Sequence, residues 1–242
     1  MNSRYGLRTE LRGYPWKDVV NEFEKDGIKF KIERGVMEIG YDKEEDGEKA
    51  RKMAQIYIDA YNLRSGKKIT VDFYHTWKPG ATSSVDHKIS LDDTVNLVDR
   101  VQAQIQTHDV TIPARAYIVN QQMHDSAGFS NNSSMVDRAL KDEVLEKALR
   151  YFSEEVVDNN RPLYGVYKAI EVITKSMGKD GRKALGALAG ESEKYVTDLI
   201  QTTQLERHAV TDAKRLIEDS ECKKRAAVLI EAYANSVKLD SY

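Results

Sequence analysis

Residues 27–42 read GIKFKIERGVMEIGYD, and their alternation constrains the fold more tightly than any other feature. Ile28, Phe30 and Ile32 point one way in the first arm. Val36 and Ile39 continue the apolar set beyond Arg34-Gly35. A period of two with glycine at the reversal is the pattern of a β-hairpin. The period then changes. In EEDGEKARKMAQIYIDAYNLRSG, residues Ala50, Met53, Ala54, Tyr57, Ile58 and Tyr61 recur at spacings of three and four, and Gly66 is placed to stop a helix. KKITVDFYHTW returns to alternation, with Ile69, Val71 and Phe73 set against Thr70, Asp72 and Tyr74. A strand–strand–helix–strand order predicts a helix lying on one face of a small sheet.

Residues 91–119 carry two patterns. Val95, Val98, Val101 and Ile105 suit a helix, and VTIPARAYI (110–118) alternates like an edge strand carrying Pro113. The stretch NQQMHDSAGFSNNSS (120–134) is rich in Asn, Ser and Gly and reads as a linker. Beyond it the spacing is helical to the end. MVDRALKDEVLEKALRYFSEEVVD carries Val136, Leu140, Leu149, Phe152 and Val156 on one stripe. RPLYGVYKAIEVITKSMG opens with Pro162 and stops at Gly178, SEKYVTDLIQTTQLERHAV follows Gly190, and Thr211 or Asp212 can cap a short further segment. The last helix, capped by Ser220, aligns Cys222, Ala226, Leu229, Ile230, Tyr233 and Val237. The expected fold is α+β. A small N-terminal mixed α/β sheet domain spans residues 1–120, a linker covers 121–134, and a bundle of four to five helices covers 135–242.

Composition narrows the function classes. Apolar residues are 40% and charged residues 31% of the chain, enough for a real core and too apolar for a disordered one. Thirty-seven basic residues against 39 acidic ones give a formal charge of −2, which disfavours duplex DNA as a partner. The single cysteine, Cys222, excludes an internal disulfide and falls on the apolar side of a helix, as a small core residue does. The N-terminal stretch has no signal-peptide core and no run reaches the roughly 18 apolar residues of a membrane span, so no membrane partner and a cytoplasmic location are expected.

Few residues advertise chemistry. The chain has no Gly-rich phosphate loop, nucleophile elbow, HExxH or Cys/His metal spacing, so neither a metal nor a cofactor is expected. His124-Asp125 reads as part of the exposed linker. Trp16, Tyr41, Tyr74, His75 and Trp77 read as core aromatics, with a stacking surface the alternative. Lys223, Lys224 and Arg225 crowd the first turn of the last helix, where cations oppose the helix dipole. They read as a solvated face, with an anion or partner contact the alternative. Tyr164, Tyr167, Glu171 and Thr174 share one helix face, so Glu171 is either exposed at the domain edge or, if buried, met by a cation. Arg207 from a neighbouring helix is the expected partner. Arg207 is followed by His208, a fixed cation beside a side chain that titrates near neutral pH.

A helical C-terminal half opening with RPLYGVYKAIEVI and ending with an Arg–polar pair before an Ala- and Leu-rich helix resembles the HEPN-like superfamily, over about residues 136–238. The resemblance implies a homodimer through the bundle. It also implies either a metal-independent RNase or a non-catalytic module of a defence or stress system. Arg207 and His208 match the first half of the superfamily's active signature. Where its second His would stand, four to six positions on, this chain has Asp212, Ala213 and Lys214. Metal-free RNA cleavage needs a base for the 2′-hydroxyl and a cation for the phosphorane. Adjacent residues at a helix end project about 100° apart, so Arg207 and His208 do not readily converge on one phosphate. The leading expectation is therefore a non-catalytic interaction or sensor protein with a protein or RNA partner. A metal-independent RNase using Arg207 and His208 is the alternative.

Overall fold

The structure is a computed structural model, and it describes residues 3–14, 20–66, 69–77, 132–154, 163–207 and 216–239. The patterns at 91–119 and most of the expected linker fall outside these residues. Four strands come first: β1 (Tyr5–Arg12), β2 (Asn21–Lys25), β3 (Ile28–Glu33) and β4 (Val36–Tyr41). Helix α1 (Gly47–Ser65) follows, then β5 (Thr70–Trp77). The five strands form one antiparallel sheet in the order β2-β3-β4-β1-β5.

Two tight hairpins build its first half. Asp26-Gly27 and Arg34-Gly35 both have positive φ at both positions, as a two-residue turn matched to the strand twist requires. The second turn sets the register and corrects one expectation. Glu33 pairs with Val36, so Ile32 pairs with Met37 and Phe30 with Ile39. Met37 and Ile39 are therefore buried, while Val36 sits on the other face and is only half-buried. The sheet's inner face carries Leu7, Leu11, Ile28, Phe30, Ile32, Met37 and Ile39. Its outer face is charged, with Lys31 held 2.8 Å from Glu33.

Helix α1 covers the inner face and is itself covered. Every residue from Ile56 to Leu63 is buried, so no side of that stretch meets solvent. Phe23, Phe30 and Tyr57 pack ring against ring on the sheet side, with centroids 4.8–5.5 Å apart. On the opposite side α1 meets two helices of the C-terminal part, α2 (Ser133–Lys141) and α3 (Glu143–Glu154). Four further helices are described in that part: α4 (Tyr164–Ser176), α5 (Gly181–Leu188), α6 (Glu193–Arg207) and α7 (Asp219–Ser236). The result is an α+β arrangement in which one continuous buried core runs from the sheet through α1 into the bundle.

The expected single helix after residue 135 is two helices. Asp142 leaves helical geometry (φ −122°, ψ 104°), and its Oδ1 accepts the Leu145 N–H at 2.7 Å, so it ends one helix and caps the next. The expected linker's last residues are also helical: Asn132 precedes α2, and Ser133 and Ser134 belong to it. Helix α5 was not expected at all. It is docked by Gly181, where a Cβ would collide with the Thr174 carbonyl oxygen. In α7, Cys222, Ala226, Leu229, Ile230 and Tyr233 are buried as the spacing implied, and Val237 packs half-buried beside them. Among the described residues no helix is long and apolar enough to cross a membrane.

Candidate functional site

Glu171 lies on α4 and is half-buried. Its Oε1 accepts the Tyr167 hydroxyl at 2.7 Å and stands 3.1 Å from the Lys175 ammonium, one helical turn away. Arg207 ends α6, a helix that packs against α4, while its side chain and all of His208 lie outside the described residues. On α7, Arg225 pairs with Glu221 at 3.1 Å and lies 4.3 Å over the Tyr195 ring; Lys223 is also engaged, and Lys224 is exposed. Tyr41 is a core residue stacked on Tyr5. Trp16, His124-Asp125 and the side chains of Tyr74, His75 and Trp77 are outside the described residues.

The polar cluster that sequence reasoning missed sits between α1 and α3. Asp59 is 1% exposed. Its Oδ1 accepts Gln55 Nε2 at 2.9 Å, and its Oδ2 accepts Arg150 Nε at 3.2 Å. Burial pushes the Asp59 carboxyl above the usual carboxylate range, opposed by Gln55, Ser153 and Arg150. Beside it, Asn62 works as a clamp. Its Nδ2 donates to the Ile69 carbonyl (2.7 Å) and to Ser153 Oγ (2.8 Å), and its Oδ1 accepts the Ile69 N–H (2.9 Å). Buried polar groups persist only when satisfied in this way. The cluster ties the start of β5, α1 and α3 together through buried Asp59 and Asn62.

A shallow cleft of 530 Å³ opens between the β2–β3 turn, α1 and α2, lined by Asp26, Glu48, Lys49, Lys52, Asp137, Leu140 and Lys141. Its charges are largely matched: Lys25 meets Asp137 at 2.6 Å and Lys52 meets Glu146 at 2.7 Å. Among the described residues no three His, Cys, Asp or Glu side chains are grouped to hold a metal.

The surface of α4 and α5 is different. Apart from Ser176, the accessible residues of α4 are Tyr164, Lys168, Glu171, Val172 and Lys175. Lys168 Nζ lies 4.7 Å from the Tyr164 ring centre and 5.0 Å from that of Tyr151 on α3, a cation held between two aromatic rings. In the sequence beyond α4 come exposed Lys179, Arg182 and Lys183. Arg182 and Lys183 occupy the first turn of α5, where the helix dipole opposes them, so helix stability does not explain their presence. Helix α5 buries Leu185 between two glycines and turns Arg182, Lys183, Ala187 and Leu188 outward.

A signal for this surface is present in YGVYKAIEVITKSMGKDGRK, as cations recurring along the helix and beyond it. No family model matches the chain, and no characterised protein or solved structure is significantly similar to it.

Proposed function

We propose that the chain works by binding, as a non-catalytic interaction module that homodimerises through its helical part. The observation that carries this reading is α5, a short helix that presents an exposed leucine and exposed cations that meet no carboxylate among the described residues. Leu188 there, Leu216 just before α7 and Val228 on α7 are exposed large apolar side chains, and α5 packs on α7. Exposed apolar residues on adjoining elements suit a subunit contact. The test is light scattering on the eluting full-length chain. A dimer that becomes a monomer in Leu188→Asp/Val228→Asp supports the reading; a monomeric wild-type chain at working concentration removes the dimer from it.

The second reading is a metal-independent RNase using Arg207 as phosphate cation and His208 as base. It is favoured by the placement of Arg207 in the last described turn of α6, a helix that packs against α4. Its signature is RNA cleavage in EDTA that is abolished by His208→Ala.

A further inference from the structure

We infer that the α4–α5 surface is a docking track for single-stranded nucleic acid, with Lys168, Lys175, Lys179, Arg182 and Lys183 meeting phosphates and Tyr164 and Tyr151 stacking bases. This rests on reading the chain as a binding module and names its partner class.

Three observations converge on it. First, the cations are available. Lys179, Arg182 and Lys183 are exposed and meet no carboxylate among the described residues. By contrast, Lys25, Lys52, Lys147, Lys194 and Arg225 are all paired within 3.1 Å. Among the described residues Lys175 meets a carboxylate only at Glu171, an i,i+4 contact with the lysine exposed, a pair that a phosphate can readily replace.

Second, the cations form a line. Tyr164, Lys168, Val172 and Lys175 follow one face of α4 over about 16 Å, and Gly181 packs directly on the Thr174 backbone, which brings the first turn of α5, with exposed Arg182 and Lys183, to the C-terminal turn of α4. Among the described residues, the acids of α4, α5 and the connection between them are Glu171 and Asp180, set against five cations. The positive end of the α5 dipole adds to the field.

Third, the line contains aromatic rings. Lys168 rests on Tyr164 and Tyr151, and when it turns to a phosphate it uncovers ring faces on which bases can stack. Stacking needs an unpaired base, which a duplex does not offer. An acidic peptide would use the cations but gain nothing from the rings. The combination of interleaved rings and cations selects a single strand.

The experiment is fluorescence anisotropy of the full-length chain with labelled oligo(U) and oligo(dT) of about 20 nucleotides, each across a salt series, beside labelled poly-glutamate. The expected result is binding of one or both strands at roughly 50 mM KCl. Lys179→Ala/Arg182→Ala/Lys183→Ala should weaken it about tenfold or more and lower the salt slope by about two, since each phosphate contact contributes about 0.7 for single strands. Tyr164→Ala should weaken binding about tenfold with the slope unchanged. Preference between the two strands reports whether the 2′-hydroxyl is read. Failure to bind either strand, or binding indifferent to the triple change, overturns the inference. Uptake of poly-glutamate alone, lost in the triple variant, also overturns it while leaving the binding-module reading standing.

Discussion

Arg150 on α3 places its Nε 3.2 Å from Oδ2 of Asp59 on α1, joining a half-exposed cation to a carboxylate that solvent does not reach. The pair bridges 91 positions of sequence and ties the sheet's helix to the bundle. Replacing Arg150 by Met leaves Asp59 with only neutral partners. Breaking a buried pair from one side costs about 3–5 kcal/mol, and the partial exposure of Arg150 brings the expected loss to about 2–3 kcal/mol. Urea unfolding followed by circular dichroism measures it. A loss within experimental error would mean that Gln55 and Ser153 suffice.

The same carboxylate gives the chain an unusual pH response. Burial raises the folded pKa of Asp59 above the unfolded value of about 3.9. The folded state then binds the proton more tightly, so the cost of ionising Asp59 is absent below the unfolded pKa. That cost is fully present above the raised folded one. Relative to Asp59→Asn, the wild-type chain should lose stability as pH rises from about 4, and the gap should level off once Asp59 is ionised. Paired urea titrations across this range check the sign. A wild-type gain with rising pH would show that Arg150 outweighs burial.

Asn62→Leu should cost about 3 kcal/mol, because the Ile69 N–H and carbonyl and the Ser153 hydroxyl all lose a buried partner. Hydrogen exchange adds a local readout: the Ile69 amide should become much faster while amides of α6 keep their protection.

Gly181→Ala drives a methyl group into the Thr174 carbonyl and should lever α5 away from α4. Overpacking of this kind costs about 1–3 kcal/mol, or several degrees in Tm for a chain of this size. The change should also weaken whatever binds Lys179, Arg182 and Lys183. Calorimetry and the anisotropy assay read the two effects separately.

What could be read from the chain was what local periodicity encodes. Alternation found β3 and β4, and the stripe from Cys222 to Tyr233 found the buried side of α7. The turn at Arg34-Gly35 is legible, but residue type alone favours Val36 as the inward residue, whereas pairing across the turn sets Met37 beside Ile32 and turns Val36 to the other face. For α1 one apolar stripe was visible. Ile56, Ala60 and Leu63 on the other side were not recognised, because Asp59 and Asn62 among them look like a solvated face until Arg150 and Ser153 are supplied from elsewhere. Asp142 was hidden for a simpler reason: a cap in the middle of a helical pattern looks like one more exposed acid. Helix α5 was missed because its glycines read as breakers, whereas Gly181 and Gly186 are what allow it to dock. The polar residues singled out by type, Arg207 and His208, gave no view of the α4–α5 edge, whose signal lies in spacing.

Binding without catalysis is tested most directly by a denaturing gel run on a labelled RNA strand after incubation with the full-length chain in EDTA, at a protein concentration that saturates the anisotropy signal. The expected result is a strand that is bound in solution and intact on the gel, with the same pattern in His208→Ala. Cleavage by the wild-type chain that disappears in His208→Ala would contradict it.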